Sequence, residues 1–285
     1  MKLLKERIVE PDSMPDRRRC NMKYGFIGTG NMGGTLARAV AKKVEASQIG
    51  LSNRTQAKAN ALAAELGANA VTNCDIAKHA AFILLGVKPQ LMEGCLEEIK
   101  GELEKRTDRF VIVTMAAGLS IAKIRELAGG DYPVIRIMPN TPASIGQGVT
   151  LLCSEGVSQK EINEFKSDFA ATGVIDDIAE QLMDAACAVS GCGPAFVYMC
   201  IEAMADGAVQ CGIPRAKALL YAAKTFEGSA ALVLESGTHP GVLKDAVCSP
   251  GGSTIAGVHA LEANGVRNAF MDAVVAAFKR TRELG

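Results

Sequence analysis

Two short stretches carry residues whose types and spacing suit chemistry. The first is Gly28-Thr29-Gly30-Asn31-Met32-Gly33, a Gly-x-Gly-x-x-Gly pattern. It follows the apolar run KYGFI (23–27) and opens the helical pattern NMGGTLARAVAKKV. In that setting each glycine has a task. Gly28 permits a tight turn, Gly30 lets a pyrophosphate approach the backbone, and Gly33 lets the helix lie against the strand. The free N–H groups of the first helical turn then face an anion. A glycine-rich turn without a ligand would use the same letters, and it is the strand-to-helix context that favours a dinucleotide. The second stretch is Ser249-Pro250-Gly251-Gly252-Ser253-Thr254, ahead of the helical run IAGVHALE. Glycine lets backbone N–H groups converge on one spot, and a helix N-terminus favours a carboxylate. A capping loop with no ligand accounts for these residues equally well.

The end of the next apolar run reads Ser52-Asn53-Arg54-Thr55. An NADH site usually has an acid there, about 20 residues after the glycines, to accept from the ribose 2′-hydroxyl. This chain has none. Arg54 offers a planar cation, and Ser52, Asn53 and Thr55 add short polar groups, so a 2′-phosphate is expected. That favours NADPH, with NADH as a weaker donor; a solvated surface arginine is the alternative. Val87-Lys88-Pro89 and Met115-Ala116-Ala117-Gly118 end two further apolar runs. Ligands of open α/β sheets lie beyond the carboxyl ends of the strands. Ala116 and Ala117 leave room for a ribose or nicotinamide, and the place of Lys88 after an apolar strand and before a proline favours a cofactor contact; a surface lysine is the alternative. Asn140, after the run VIRIM, is expected on the nicotinamide side of the cleft; a plain turn is the alternative.

These groups need a scaffold. Apolar runs at 23–27, 49–53, 81–87, 110–115, 133–138 and 149–153 are rich in Val and Ile without clean alternation, as strands of a parallel sheet covered on both faces should be. Helical patterns separate them: QAKANALAAELG, QLMEGCLEEIK and SIAKIRELAG follow the first one. The expectation is α/β: a doubly wound Rossmann domain over 22–180, preceded at 1–21 by a charged segment that is either a disordered leader or an upstream start with Met22 as the working initiator. Beyond about residue 180 the pattern turns all-helical, with breaks at 212–214, 237–241, 249–252 and 264–265. Residues 181–285 are therefore expected to form an all-helical domain, to which the family resemblance given below adds substrate binding and dimerisation. Several of its helices are apolar on more than one face, which calls for a partner subunit. An ordinary helical core is the alternative.

Composition narrows the classes. The 285 residues are 48% apolar, with 31 basic and 31 acidic side chains. This balance gives no electrostatic footprint for nucleic acid or an anionic membrane. Nine cysteines without a Cys-x-x-Cys pair, and three scattered histidines, disfavour a structural zinc. Reduced, buried thiols in a cytoplasmic setting are expected. The leader has no apolar core, so it is not a secretory signal. No window of about 18 charge-free apolar residues stands out, so no membrane span is expected.

The blocks FIGTGNMG (26–33), GVKP (86–89), MPNTP (138–142), SGCGPAF (190–196) and LKDAVCSPGGSTIAGVHALE (243–262) together resemble the pyrroline-5-carboxylate reductase family, from about Lys23 to the end. The resemblance implies a Rossmann domain followed by a helical dimerisation domain, with dimers able to join further. It implies reduction of the cyclic imine 1-pyrroline-5-carboxylate to L-proline by NADPH or NADH. It also makes Val247, Cys248, Ser249, Pro250, Gly251, Gly252 and Ser253 the substrate loop. Gly251 and Gly252 would give backbone donors to the substrate carboxylate, and the Thr254 hydroxyl would reach the imine nitrogen. Asn73 resembles the family's adenosine contact, although a helix N-cap would look the same. The chain departs from the family at Cys192, usually Ser, and at Ser253, usually Thr. Both replacements are small, so the packing is expected to survive.

Two rival activities fit parts of the pattern. A β-hydroxyacid dehydrogenase shares the two-domain plan, but those enzymes resemble Gly-x-Gly-x-x-x-Lys at the second domain, and here Gly191-Cys192-Gly193 leads to Val197. A non-catalytic NADPH-binding regulator would keep residues 26–55 without needing the 247–254 loop.

Overall fold

The computed structural model describes residues 22–283, so the leader expected at 1–21 lies outside the described residues. Among the described residues eight strands form one sheet in the order β3-β2-β1-β4-β5-β6-β7-β8. They are β1 Met22–Ile27, β2 Ile49–Ser52, β3 Asn69–Ala70, β4 Ala80–Leu85, β5 Val111–Thr114, β6 Val134–Pro139, β7 Gly148–Glu155 and β8 Gly173–Asp177. The first six run parallel. Side chains alternate between two cores. Tyr24, Phe26, Phe82, Leu84, Val111 and Val113 enter one layer, with Phe165 and Phe169. Ile27, Ile83, Leu85 and Ile112 enter the other, with Met92, Leu96, Ile99 and Ile124. Each such side chain, fully buried, contributes about 1.5–3 kcal/mol. Burial on both faces is why these strands lack polar alternation.

Six helices cover the sheet: α1 Asn31–Val40, α2 Gln56–Leu66, α3 Asn73–His79, α4 Met92–Glu104, α5 Ile121–Ala128 and α6 Gln159–Phe169. Their ends follow local rules. Thr72 and Asp75 form a capping box on α3, and Ser158 and Glu161 form one on α6. Gly67 and Gly129 end α2 and α5 in the left-handed conformation.

The sheet departs from the all-parallel expectation at β7, which pairs antiparallel with β6. Only residues 140–147 join the two strands, whereas a parallel return takes a dozen or more. The runs 133–138 and 149–153 are apolar in either direction, so composition could not reveal the reversal.

After Asp177 the chain is helical: α7 Met183–Ser190, α8 Gly193–Gln210, α9 Arg215–Ser236, α10 Pro240–Ala246, α11 Ser253–Ala263 and α12 Val266–Glu283. Helix α7 docks on the sheet through Met183 and Cys187, against Met138 and Leu151. Arg136 of β6, 3% exposed, donates to Glu180 Oε1 at 3.2 Å and to Asp184 Oδ1 at 2.9 Å. Glu180 Oε1 also accepts from the N–H of Ile121 at 2.8 Å. A cation inside the sheet thus anchors the start of the helical region.

The rest of that region buries little. Helices α8 and α9 meet over Ala205, Ala218 and Ala222. Tyr198, Met199, Leu220, Tyr221, Leu234 and Met271 are more than half exposed. The stretch Glu180–Gln210 is long and apolar enough to cross a membrane by length and composition, but it is not free of charge, so the expectation of no membrane span is not overturned. It is not one rod. It comprises α7 and α8, broken at Gly191-Cys192, and it carries Asp184, Glu202 and Asp206.

Candidate active site

The strand order reverses direction between β1 and β4, which places a crevice beyond Ile27 and Leu85. The glycine loop fills that position. Gly28 has φ +98°, and its N–H donates to Ser52 O at 2.8 Å. A Cβ on Gly33 would lie 2.1 Å from Gly28 O, and one on Gly86 would lie 2.3 Å from the same oxygen. Gly30 is different: a Cβ there would meet nothing within 4 Å. The space outside Gly30 is therefore open while the space beneath the loop is closed. The N–H groups of Asn31, Met32 and Gly33 have no partner among the described residues. The Thr29 hydroxyl is buried without a partner among the described residues. This cradle fits a dinucleotide pyrophosphate.

Beside it, the end of β2 is held by a network. Asn53 Oδ1 accepts from the Thr29 N–H at 3.2 Å, and Asn53 Nδ2 donates to Thr55 O at 3.2 Å. Ser52 Oγ donates to Asn73 Oδ1 at 2.7 Å, and Asn73 Nδ2 donates to Glu98 Oε2 at 2.8 Å. Thr72 is the N-cap of α3 and Asn73 is its first residue, so the capping alternative for Asn73 falls away. Arg54 and Lys88 are exposed and have no hydrogen bond or ion pair among the described residues. Two free cations beside the phosphate cradle are suited to an anionic ligand. Val87 and Pro89 flank Lys88 and are half-buried, Ala116 is buried and Ala117 is half-buried.

Asn140 has a framework duty. Its Nδ2 donates to Ser190 O at 2.9 Å, and its Oδ1 accepts from the Val149 N–H at 2.9 Å. It ties β6 to the start of β7 and to the end of α7. One amide proton is left for a ligand.

Residues Val247–Thr254 lead from α10 into α11. Gly251 takes φ +70°, which favours glycine. The Gly252 N–H donates to Ser249 O at 3.0 Å, so it is not a free donor as expected. The N–H groups of Gly251, Ser253 and Thr254 have no partner among the described residues, and neither has the Thr254 hydroxyl. Cys248 and Gly252 are half-buried, and the other six residues are exposed. No hydrogen bond or ion pair among the described residues joins this loop to the sheet. The two candidate half-sites are thus each built but not brought together by such contacts within one chain.

Sequence reasoning missed Arg136, Glu180, Asp184, Gly86 and Glu98. Their roles depend on contacts across elements, and only GVKP carried a local signal. Among the described residues no group of His, Cys, Asp and Glu could hold a metal ion. Burial pushes the thiols of Cys95, Cys153 and Cys187 up to about 11, which keeps them protonated at neutral pH.

Comparison with known proteins agrees with this layout. Residues 180–284 match the family described as pyrroline-5-carboxylate reductase dimerisation. Residues 23–118 match the family described as NADP oxidoreductase coenzyme F420-dependent. The chain is 38% identical over 269 residues to a pyrroline-5-carboxylate reductase of Methanosarcina acetivorans, across 93% of this chain and 98% of the relative. It is 39% identical over 266 residues to the Escherichia coli protein of the same name, across 92% and 98%. Among solved structures it superposes on the pyrroline carboxylate reductase of Plasmodium falciparum with NADP bound. The TM-score is 0.84 and the identity 32%, with 93% of this chain and 98% of that chain covered. The glycine cradle, the exposed 247–254 loop and these matches along the chain lead to one assignment: this chain belongs to the pyrroline-5-carboxylate reductase family.

Proposed function

We propose that this chain reduces 1-pyrroline-5-carboxylate to L-proline, the last step of proline biosynthesis, with NADPH as the preferred donor. The observation that carries the proposal is the loop Val247–Thr254, which opens α11 with N–H groups and a threonine hydroxyl that have no partner among the described residues. An imino acid has an anion to hold and a nitrogen to steady, and this loop offers a group for each. The bound NADP of the Plasmodium falciparum structure supports the choice of donor.

The cofactor residues in this account are Gly28, Thr29, Gly30, Asn31, Met32 and Gly33 at the pyrophosphate. Ser52, Asn53, Arg54, Thr55 and Asn73 lie at the adenosine, and Val87, Lys88, Pro89, Ala116, Ala117 and Asn140 line the way to the nicotinamide. When bound, NADPH supplies hydride to the imine carbon. The N–H groups of Gly251, Ser253 and Thr254 hold the carboxylate and fix the ring. The Thr254 hydroxyl hydrogen-bonds the imine nitrogen, which takes its proton from solvent. The loop has no strong acid, so Thr254 positions the reacting group and contributes little as a general acid. The chain divides near residue 180 between the cofactor half and the helical half. A second copy joins the exposed helical faces, as the dimerisation match supports. Cys95 and Cys187 are buried but Cys211 is exposed, so the expected burial of the thiols holds only in part; the setting in this account is cytoplasmic.

The test separates the two half-sites. Thr254→Ala removes one hydroxyl, worth about 0.5–1.5 kcal/mol or more where a partner is left unpaired. It is expected to lower kcat by about ten-fold while NADPH affinity, read by fluorescence titration, stays the same. Gly252→Val puts its Cβ where Ser249 Oγ stands, 2.4 Å away, and is expected to raise KM for the imino acid. Unchanged kcat and kcat/KM in Thr254→Ala would make that residue a helix-end residue only.

A further inference from the structure

Hydrogen bonds have a direction, and at the end of β2 the direction is set from outside the cofactor site. Glu98, exposed on α4, is a carboxylate that only accepts. It receives Asn73 Nδ2 at 2.8 Å. An amide has its donors on nitrogen and its acceptor on oxygen, so turning Asn73 over would set its oxygen against the carboxylate. Asn73 therefore presents its oxygen to Ser52, which donates to it at 2.7 Å. A hydroxyl has one proton, and that of Ser52 is spent on Asn73. What Ser52 can still offer is lone pairs.

We propose that Glu98 is a specificity-determining positioning residue: acting through Asn73, it makes Ser52 an acceptor for a ribose hydroxyl and bars it from bonding a 2′-phosphate. The proposal rests on the assignment of Ser52–Thr55 to the adenosine ribose given above. A phosphate also only accepts, so Ser52 in this state cannot bond it. The neighbouring Asn53 amide is partly committed to Thr29 and Thr55. Recognition of the 2′-phosphate then falls on Arg54 and Thr55, and the enzyme retains use of NADH through Ser52. Neither the missing acid at β2 nor the presence of Arg54 reveals this, because the polarity is set by a residue on α4, far beyond Ser52 in the sequence.

Glu98→Gln is the informative variant. Glutamine can donate as well as accept, so Asn73 can turn over, donate to Ser52 and free its proton for the phosphate. The readout is the dissociation constant of NADPH and of NADH, by nicotinamide fluorescence without substrate. Glu98→Gln is expected to tighten NADPH relative to NADH by about three- to ten-fold, the worth of one partly exposed hydrogen bond. Removing a negative charge near a phosphate would push the same way, so the variant is repeated in a Ser52→Ala background. There the relay has no end, and the ratio is expected not to respond to Glu98→Gln. A shift that persists in Ser52→Ala is a direct charge effect and overturns the relay, as does an unchanged ratio in Glu98→Gln alone. Arg54→Ala guards the underlying assignment. A selective loss of NADPH affinity upholds the position of the 2′-site, and equal affinities before and after overturn that position and the relay with it.

Discussion

At the scale of single residues, the cofactor loop depends on a few groups with separable duties. Arg54 is exposed and unpaired among the described residues, so its removal disturbs no packing. A charge-assisted contact to a phosphate is worth about 1.5–3 kcal/mol. Arg54→Ala is therefore expected to lower kcat/KM for NADPH by about ten- to a hundred-fold and to leave that for NADH nearly unchanged, which steady-state kinetics with both donors will check. Gly33 has the opposite character. A methyl group there would stand 2.1 Å from Gly28 O, a backbone atom that cannot swing aside. Gly33→Ala should weaken both donors together, by at least about ten-fold, and lower the melting temperature; tight binding of either donor would show that the first turn of α1 does not carry the pyrophosphate. The duties of Gly28 and Gly33 were legible in the sequence because a short motif dictates a short-range contact. Glu98 was not, since its effect reaches Ser52 through an amide on a different helix. Gly252 was read as a free donor, and it is closed into its own turn by Ser249. Backbone donors within a glycine pair cannot be told apart by residue type.

At the scale of elements, apolar runs located β1, β2, β4, β5, β6 and β7, because fully covered strands must be apolar throughout. They could not supply strand direction, and they passed over the short β3 and the polar β8, where Asp176 and Asp177 break the signal. Helix α6 escaped notice as well, although its Ser158-x-x-Glu161 box is an N-terminal signature. That box allows a pH test. The Arg109 guanidinium, then the Ser158 backbone and hydroxyl, hold the Glu161 carboxyl down to about 2, against the cost of partial burial. A carboxyl depressed by folding stabilises the protein above its unfolded pKa and loses that contribution as pH falls through the folded value. Glu161→Gln keeps a capping-box residue and loses the charge facing Arg109, so it should cost about 0.2–1 kcal/mol at pH 7, the worth of a partly exposed ion pair, and the gap to wild type should close as pH falls from about 4.5 toward 2. Thermal melts across that window will show it, and a gap constant with pH would assign the loss to packing. Arg136 acts on a larger element. It fastens Glu180 and Asp184 to the sheet from a buried position, so Arg136→Met leaves two carboxylates without their cation.

At the scale of the whole molecule, the helical half is unfinished as one chain. Helices α10 and α11 have no buried residue, and Leu234, Leu261 and Met271 stand in solvent. A patch of this kind is a subunit interface, and the dimerisation match covers the same residues. Apolar residues on several helix faces made the need for a partner legible in the sequence. The exposure of the 247–254 loop was not legible, because nothing local says where a neighbour ends. Sedimentation should find a dimer or larger at low micromolar concentration; a folded monomer there would remove the partner from the account. Both halves meet in one reaction, and one measurement follows it from end to end. The enzyme is given 1-pyrroline-5-carboxylate and NADPH carrying deuterium at the transferable position, and the product is read by mass spectrometry and NMR. The account predicts proline with one deuterium at the carbon that was the imine carbon, one per NADPH consumed. NADPH left unconsumed, or consumed without labelled proline, would contradict it.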